Sequence, residues 1–491
     1  MTLLTAKLLF TKEDFVSLDK YKRLASNTIL FAISNFSSKM LTFFLKPMYS
    51  RAVPIEEMGV YNNVWGYILL LLPLISLGMD YAVLRFGLDK QYNRKSVFTN
   101  GMVGLLAGFG ILTACYPLMR LLPNSQGYMT AIYAMLFVSN LRRICANFVR
   151  AKNMLRLVAI DGILTSLTTV VFNVVFLVWL KTGAIGILWA TIMADLFSSL
   201  LLIWVASLGK YIRPAKYNNE MMWQMLRYAL PLVPSLMCWN ITNSSDVIFV
   251  TNMLKDGQRL AGLLGYSYVL AQAVQMAAYI FNDAWQLSAV TEQDDREVFF
   301  SRIFSAYQST MFIGGAALIL LCKPFYSVYL HGDDVQAWRY APFLVMATIY
   351  SCFSGFLNSI YVVEKRSGLS LFTSAMGAGI NCVLNLILIQ FMGVTGAALA
   401  TFLSYLAVFL LRAINTRGLL QVHFSSGMLA VNTGLLTLEC ALMIQEVKLW
   451  PLWCSLCALA VLILNFSGLW RMARRLIGKV TKKKHHKPHT A

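Results

Sequence analysis

The chain has 491 residues, 58% of them hydrophobic and only 13% charged, against roughly 25% charged in a soluble domain. Mean hydropathy is +0.62, and apolar runs fill most of the sequence, which excludes a soluble enzyme carrying one anchor. The net charge of +20, from 42 Lys+Arg against 22 Asp+Glu, reads in such a chain as the topogenic excess of the positive-inside rule and not as affinity for nucleic acid.

These properties predict an all-α, polytopic membrane protein. A transmembrane barrel is excluded because its strands are ~10-residue alternating segments, not long unbroken apolar runs. The first residues carry Lys7, Lys12 and Lys20 among acids with no n/h/c organisation, so no signal peptide is expected. The nine cysteines are scattered. Cys454 and Cys457 form a C-x-x-C inside an apolar helix, without the βαβ context of a redox motif, and are expected to be packing residues.

At about 20 apolar residues per span, the chain divides into fourteen spans. They cover 24–48, 60–80, 97–119, 128–149, 157–180, 183–207, 226–253, 261–286, 298–322, 338–362, 369–390, 394–415, 425–446 and 449–469. Turn residues mark the joints, among them Pro54, Pro123-Asn124, Asp256-Gly257 and Gly393. With both termini placed in the cytoplasm, 32 Lys+Arg fall on the cytoplasmic side and nine on the outer side, leaving Lys39 inside the first span.

The two halves resemble each other. Thr182–Thr191 (TGAIGILWAT) aligns with Met392–Thr401 (MGVTGAALAT) at an offset of 210, with identities at Gly183/Gly393, Gly186/Gly396, Ala190/Ala400 and Thr191/Thr401. Each copy follows a long span and opens the next. Two pseudo-repeated six-helix lobes plus a C-terminal helix pair are therefore expected. The divisions are a 1–23 arm, an N-lobe at 24–207, a linker at 208–225, a C-lobe at 226–415, a helix pair at 416–470 and a basic tail at 471–491. Such repeats build secondary transporters, whose substrate sites lie between them.

A charge at mid-span costs ~2.5–3.5 kcal/mol, so each intramembrane charge needs a reason. In span 1, Thr28, Asn35, Lys39, Thr42 and Lys46 fall in a sector of roughly 60°. Span 4 carries Asn140, Arg143, Asn147 and Arg150 on one face, while Arg142 points elsewhere as an interfacial anchor. Span 7 lines up Ser235, Trp239, Thr242, Asn243 and Asp246, and span 8 Tyr268, Gln272, Gln275, Tyr279, Asp283 and Gln286. Span 2 has Asn62, Asn63, Asp80 and Arg85 near its ends and an apolar middle. A cationic, amide- and hydroxyl-rich cavity with aromatic faces suits a phosphorylated sugar.

Several runs carry a family resemblance: Asn35 to Lys39, Arg51 to Tyr61, Gly78 to Phe86, Tyr228 to Pro234 with Asn243 to Asp246, and Gly393 to Thr401. In this order they resemble the polysaccharide (O-antigen) flippases of the multidrug/oligosaccharidyl-lipid/polysaccharide exporter superfamily. The resemblance implies a cavity lined by spans 1, 2, 7 and 8. It also implies flipping of undecaprenyl-pyrophosphate-linked oligosaccharides to the outer leaflet of the bacterial inner membrane.

On that reading Lys39, Lys46, Arg85, Arg143 and Arg150 hold the pyrophosphate. Asn35, Trp239, Asn243, Gln272, Gln275 and Tyr279 meet sugars, and Asp246 and Asp283 serve coupling or an ion pair. No metal or other cofactor is expected. The partners are the lipid-linked oligosaccharide, membrane lipids, and the polysaccharide polymerase and chain-length machinery.

Three alternatives compete. A cation-coupled multidrug exporter wants an acid in span 1 or 7, and span 1 has none. A peptidoglycan-precursor flippase wants extra charges in span 1. A glycosyltransferase or polymerase wants a sizeable loop with paired acids, whereas Glu292–Glu297 and Asp333-Asp334 sit in short loops.

Overall fold

The computed structural model describes residues 43–291, 296–364 and 366–466. It is all-α, with no strand among the described residues. In chain order the helices are α1 (43–52), α2 (Ile55–Ser76), α3 (Met79–Leu88), α4 (Arg94–Ala114), α5 (Met129–Ala151), α6 (Leu155–Asn173) and α7 (Ala184–Val205). Then come α8 (Asn219–Ala229), α9 (Leu232–Met253), α10 (Gly257–Thr291), α11 (Arg296–Leu320), α12 (Cys322–Tyr329), α13 (Ala341–Val363), α14 (Ser367–Met392), α15 (Val394–Asn415), α16 (Ser426–Ile444) and α17 (Trp450–Phe466).

Fourteen spans were expected; among the described residues nine helices are long and apolar enough to cross a membrane. The shortfall has physical causes. Span 1 falls largely outside the described residues, and α17, at 17 residues, is short. Helices α5, α9 and α10 lie at expected spans but carry the polar faces noted above, which lower their hydropathy.

Helix boundaries follow local chemistry. Asn93, Asn218 and Ser425 cap α4, α8 and α16 by accepting from the backbone N–H of Lys95, Met221 and Met428. Between α2 and α3, Leu77 and Gly78 turn the chain with φ of 50° and 68°.

The internal repeat has a structural counterpart. Gly183 and Gly393 precede α7 and α15 with φ/ψ of 68°/−155° and 60°/−136°, a region essentially restricted to glycine. A Cβ on Gly186 would lie 2.1 Å from Thr182 Oγ1, and one on Gly396 2.2 Å from the Leu388 carbonyl. Ala190 and Ala400 are both fully buried. Thr191 and Thr401 donate to the carbonyls four residues back, at 3.0 and 3.1 Å. Three of the four identities repeat their setting, and the two middle glycines share close crowding, against a side chain in one copy and the backbone in the other.

The described chain forms two compact units. The first holds residues up to Leu45 and Leu71–Pro234; the second holds Lys46–Leu70 and Ser235 onward. In the first, Met79, Val83, Phe98, Phe148 and Met225 build the core, with the Phe98 and Phe148 rings 4.4 Å apart.

Beside that core lies a polar hub. Arg142 reaches Asp161 at 3.5 Å and Asp195 at 3.2 Å and donates to Ser198 at 2.9 Å. Ser198 and Ser139 in turn donate to Asp161 and Asp195, each at 2.5 Å. The expectation that Arg142 is an interfacial anchor is corrected: two buried carboxylates on α6 and α7 hold it, half-buried, against its own unit.

The second unit centres on buried aromatic side chains, Phe304, Phe353, Phe356 and Phe409. Helices α16 and α17 are joined by a reciprocal amide pair, Asn465 donating to Asn432 at 2.8 Å and Asn432 to Asn465 at 3.5 Å. Cys454 and Cys457 are buried free thiols, as expected of packing residues. Glu439 on α16 is fully buried, with no hydrogen bond to either carboxylate oxygen among the described residues.

At the α16–α17 turn, Lys323 donates to Glu446 and lies over the rings of Trp338 and Trp450, 4.9 and 5.5 Å from their centroids. Arg339 adds a second contact to Glu446 at 3.7 Å. The Lys323 hydrogen bond, with the positive charges of Lys323 and Arg339, holds the Glu446 carboxyl below the usual range. A carboxyl so lowered stabilises the fold above the ordinary glutamate value and loses that contribution as pH falls through its own lower value.

A Glu446→Gln variant is therefore expected to melt slightly below wild type at pH 7, by no more than ~1 kcal/mol because both partners are over a third exposed. The two melting curves should converge from about pH 5 downward. A gap that stays constant with pH would disprove the linkage.

Candidate functional site: an uncharged polar cavity

Within the second unit, five helices line a partly open cavity of about 260 Å³. Helix α2 enters through close glycine contacts: a Cβ on Gly59 would overlap the Gln258 carbonyl at 1.6 Å, and one on Gly262 would meet the Ile55 carbonyl at 2.3 Å. Small residues at such crossings let the backbones approach. The approach places Asn62 against α10, where it donates to the Ala261 carbonyl at 3.2 Å. Trp65 faces the cavity one turn on, its ring stacked on Tyr61 with centroids 6.1 Å apart.

Helix α9 contributes Thr242, Asn243 and Ser244 to the wall, and α10 contributes Tyr268, Gln272 and Gln275. Thr348 and Ser351 come from α13, and Thr401 and Tyr405 from α15. Most hydroxyls are anchored: Thr242, Ser244, Thr348 and Thr401 donate to carbonyls four residues back on their own helices. Their oxygens remain able to accept. Asn243 donates to the Trp239 carbonyl at 2.7 Å and accepts from Tyr405 at 3.1 Å, which fixes its amide.

Gln272 and Gln275 differ. Neither makes a side-chain hydrogen bond to any described residue, so each presents two donors and a carbonyl oxygen.

Asp246 stands behind this wall, fully buried. The Tyr268 hydroxyl donates to its Oδ2, and the Val247 N–H to its Oδ1 at 2.8 Å. Deeper still, Ser245 donates to Asn381 at 2.6 Å, Asn385 donates to Asn381 at 3.1 Å, and Asn381 reaches Thr401 at 3.5 Å. This network ties α9, α14 and α15 together beneath the cavity.

The structure thus brings together Asn243, Gln272 and Gln275, with Asp246 adjoining. Trp239 is 45% exposed and offers the cavity only its carbonyl's hold on Asn243. Lys46 is buried with its ammonium 5.4 Å from the Tyr266 ring centroid. Arg85 and Arg143 are exposed on the first unit, and Arg150 there donates to Asn147 at 3.3 Å. Lys39 and Asn35 lie outside the described residues, as do the side chains of Tyr279 and Asp283.

Trp65, Thr348, Ser351 and Tyr405 were not anticipated. The spacing of Leu344, Ala347, Thr348 and Ser351 marks a face of small and hydroxyl side chains, the one signal that α13 offered. Among the described residues, no group of three or more His, Cys, Asp and Glu is placed to hold a metal.

Fold and cavity together define a multi-pass α-helical membrane protein with a partly open site, lined by five of its helices, in which amides and hydroxyls stand among apolar side chains. Residues 24–286, more than half of the chain, match the family model described as polysaccharide biosynthesis protein, and the chain belongs to that family.

Among solved structures it is similar to the lipid II flippase MurJ in an inward closed conformation. The TM-score is 0.67 and the identity 14%, with 91% of this chain and 100% of that one covered. It is also similar to an outward-facing multidrug resistance MATE family transporter of the MOP superfamily (TM-score 0.55, identity 14%, covering 80% and 96%). A mutant of the Vibrio cholerae MATE transporter VcmN gives a TM-score of 0.54 at 13% identity, covering 81% and 98%. A search of curated proteins gave no match. At these identities the likeness is one of fold alone, the fold that MurJ and the MATE structures share.

Proposed function

We propose that this protein is a flippase, not an enzyme. It moves a polyprenyl-pyrophosphate-linked oligosaccharide, the repeat unit of an O-antigen, capsule or exopolysaccharide, from the cytoplasmic to the outer leaflet of a bacterial inner membrane. The observation that carries this reading is the cavity itself. Its unbonded amides at Gln272 and Gln275, its accepting hydroxyls and the Trp65 ring are the groups that meet sugar hydroxyls and the apolar face of a pyranose.

Membership of the polysaccharide biosynthesis family supports the same substrate class. On this reading Lys39, Arg85 and Arg143 hold the pyrophosphate, and the polyprenyl tail stays in lipid. Asp246, one side chain behind the cavity wall, is the group placed to couple ion or proton movement to transport by alternating access. Both termini face the cytoplasm, as the Lys+Arg distribution requires, and a polymerase on the outer side receives the product.

The multidrug-exporter alternative is disfavoured, because a cationic drug wants a carboxylate in the wall, and among the described residues lining the cavity there is none, Asp246 standing behind Tyr268. The test is leaflet-resolved analysis of lipid-linked oligosaccharide in cells lacking the protein. The expected result is complete repeat units accumulating on the cytoplasmic leaflet, loss of surface glycan, and rescue on re-expression. Normal surface glycan with heightened sensitivity to cationic drugs would overturn the reading in favour of an exporter, and incomplete repeat units would overturn it in favour of an enzyme.

A further inference from the structure

Among the described residues, no side chain lining the cavity carries a charge, although the chain as a whole is strongly basic. Every polar lining group is an amide, a hydroxyl, a phenol or an indole. The nearest ionisable carboxyl, Asp246, is screened by Tyr268 and has both oxygens already accepting hydrogen bonds. Lys46, buried in this unit, holds its ammonium 5.4 Å from the Tyr266 ring centroid and does not line the cavity.

We propose that the sugar residue occupying this cavity is uncharged: a neutral or N-acylated pyranose, and neither a uronic acid nor an amino sugar with a free ammonium. This rests on the flippase reading above and deepens it by naming the charge class that the second unit selects. Taking a carboxylate out of water is costly unless a cation meets it. Among the described residues that line the cavity it would meet none, and Asp246 would stand close behind the wall. A free ammonium fares no better, because Asp246 lies behind Tyr268 and outside the cavity lining.

Neutral hydroxyls and N-acyl groups face the opposite balance. Gln272 and Gln275 can donate to and accept from neighbouring hydroxyls at once, while Trp65 covers a ring face. At about 260 Å³ the cavity lies at the small end of ligand sites, which run ~300–1,000 Å³. It holds one sugar ring, not a whole repeat. Charged sugars elsewhere in a repeat are therefore compatible with transport, and the constraint falls on the residue held here.

The full-length protein in proteoliposomes tests this with two probes differing only at C6, polyprenyl-pyrophosphate-glucose and polyprenyl-pyrophosphate-glucuronic acid. Arrival in the far leaflet is read by oxidation with membrane-impermeant periodate. The neutral probe is expected to cross about tenfold faster or more. Gln272→Lys, at an exposed position bonded to nothing described, is expected to narrow or reverse that preference; Ser351→Lys, on the facing helix, is a second route to the same change should the first variant fold poorly.

Equal rates for the two probes would overturn the inference while leaving the flippase reading intact. A preference that neither lysine variant alters would also overturn it, since selection would then lie outside this cavity. Failure of both probes to cross would overturn the flippase reading itself, and the inference with it.

Discussion

Arg142→Ala is expected to destabilise the protein by ~2–3 kcal/mol, below the ~3–5 kcal/mol for breaking a fully buried ion pair, because the arginine side chain is 29% exposed while its two acids are buried. The arginine serves two acids at once, Asp161 and Asp195, each also held by a serine. Without the guanidinium those carboxylates face each other inside the first unit with only hydroxyl donors. Thermal or denaturant unfolding of the detergent-solubilised protein measures the loss.

The companion variant Arg142→Met/Asp161→Leu/Asp195→Leu removes the charges together and is expected to recover most of the stability, because well-packed apolar side chains can replace such a hub at little cost. If Arg142→Ala unfolds with wild type, the hub contributes nothing and the contacts are incidental.

Gln272→Ala/Gln275→Ala is expected to separate transport from stability. Neither amide bonds to a described residue, so unfolding should shift by no more than ~0.5 kcal/mol. Surface-glycan production in cells relying on this variant should fall about tenfold to a hundredfold, since each hydrogen bond to an uncharged partner contributes ~0.5–1.5 kcal/mol and the two amides offer several. Normal glycan export would remove the cavity from the transport path. Loss of export accompanied by an equal loss of folded protein would reassign the two glutamines to packing.

The parts of this structure that the sequence made visible are those whose physics is periodic or strictly local. The Gly183 and Gly393 turns could be found by alignment alone because a glycine-restricted backbone leaves a residue that nothing else replaces. The faces of α9 and α10 were legible because Thr242, Asn243, Tyr268, Gln272 and Gln275 recur at helical spacing within otherwise apolar stretches.

What stayed hidden depended on pairing between distant segments. Trp65 looks like any aromatic residue in an apolar span until the glycine contacts of α2 and α10 turn it inward. Arg142 sits at a helical angle that suggested lipid headgroups, and nothing local reveals acids waiting 19 and 53 residues further along. Thr348 and Ser351 were passed over because isolated hydroxyls in a span usually bond their own helix, as Thr348 does.

Residues Lys46–Leu70 belong to the second unit, although the 164 residues from Leu71 to Pro234 are synthesised before the rest of that unit exists. At ~5–20 residues per second, this early segment waits roughly ten to thirty seconds in the membrane before its packing partners emerge. Throughout that interval Asn62 has no Ala261 carbonyl to receive its amide, and the small-residue contacts of Gly59 lack their opposing helix. Biogenesis therefore includes a stage in which a polar half-helix stands without the surface it was shaped for. A chaperone or insertase that shelters it would act on the nascent chain long before transport becomes possible, and truncations ending near Pro234 would present the same orphaned segment to the membrane's quality-control proteases.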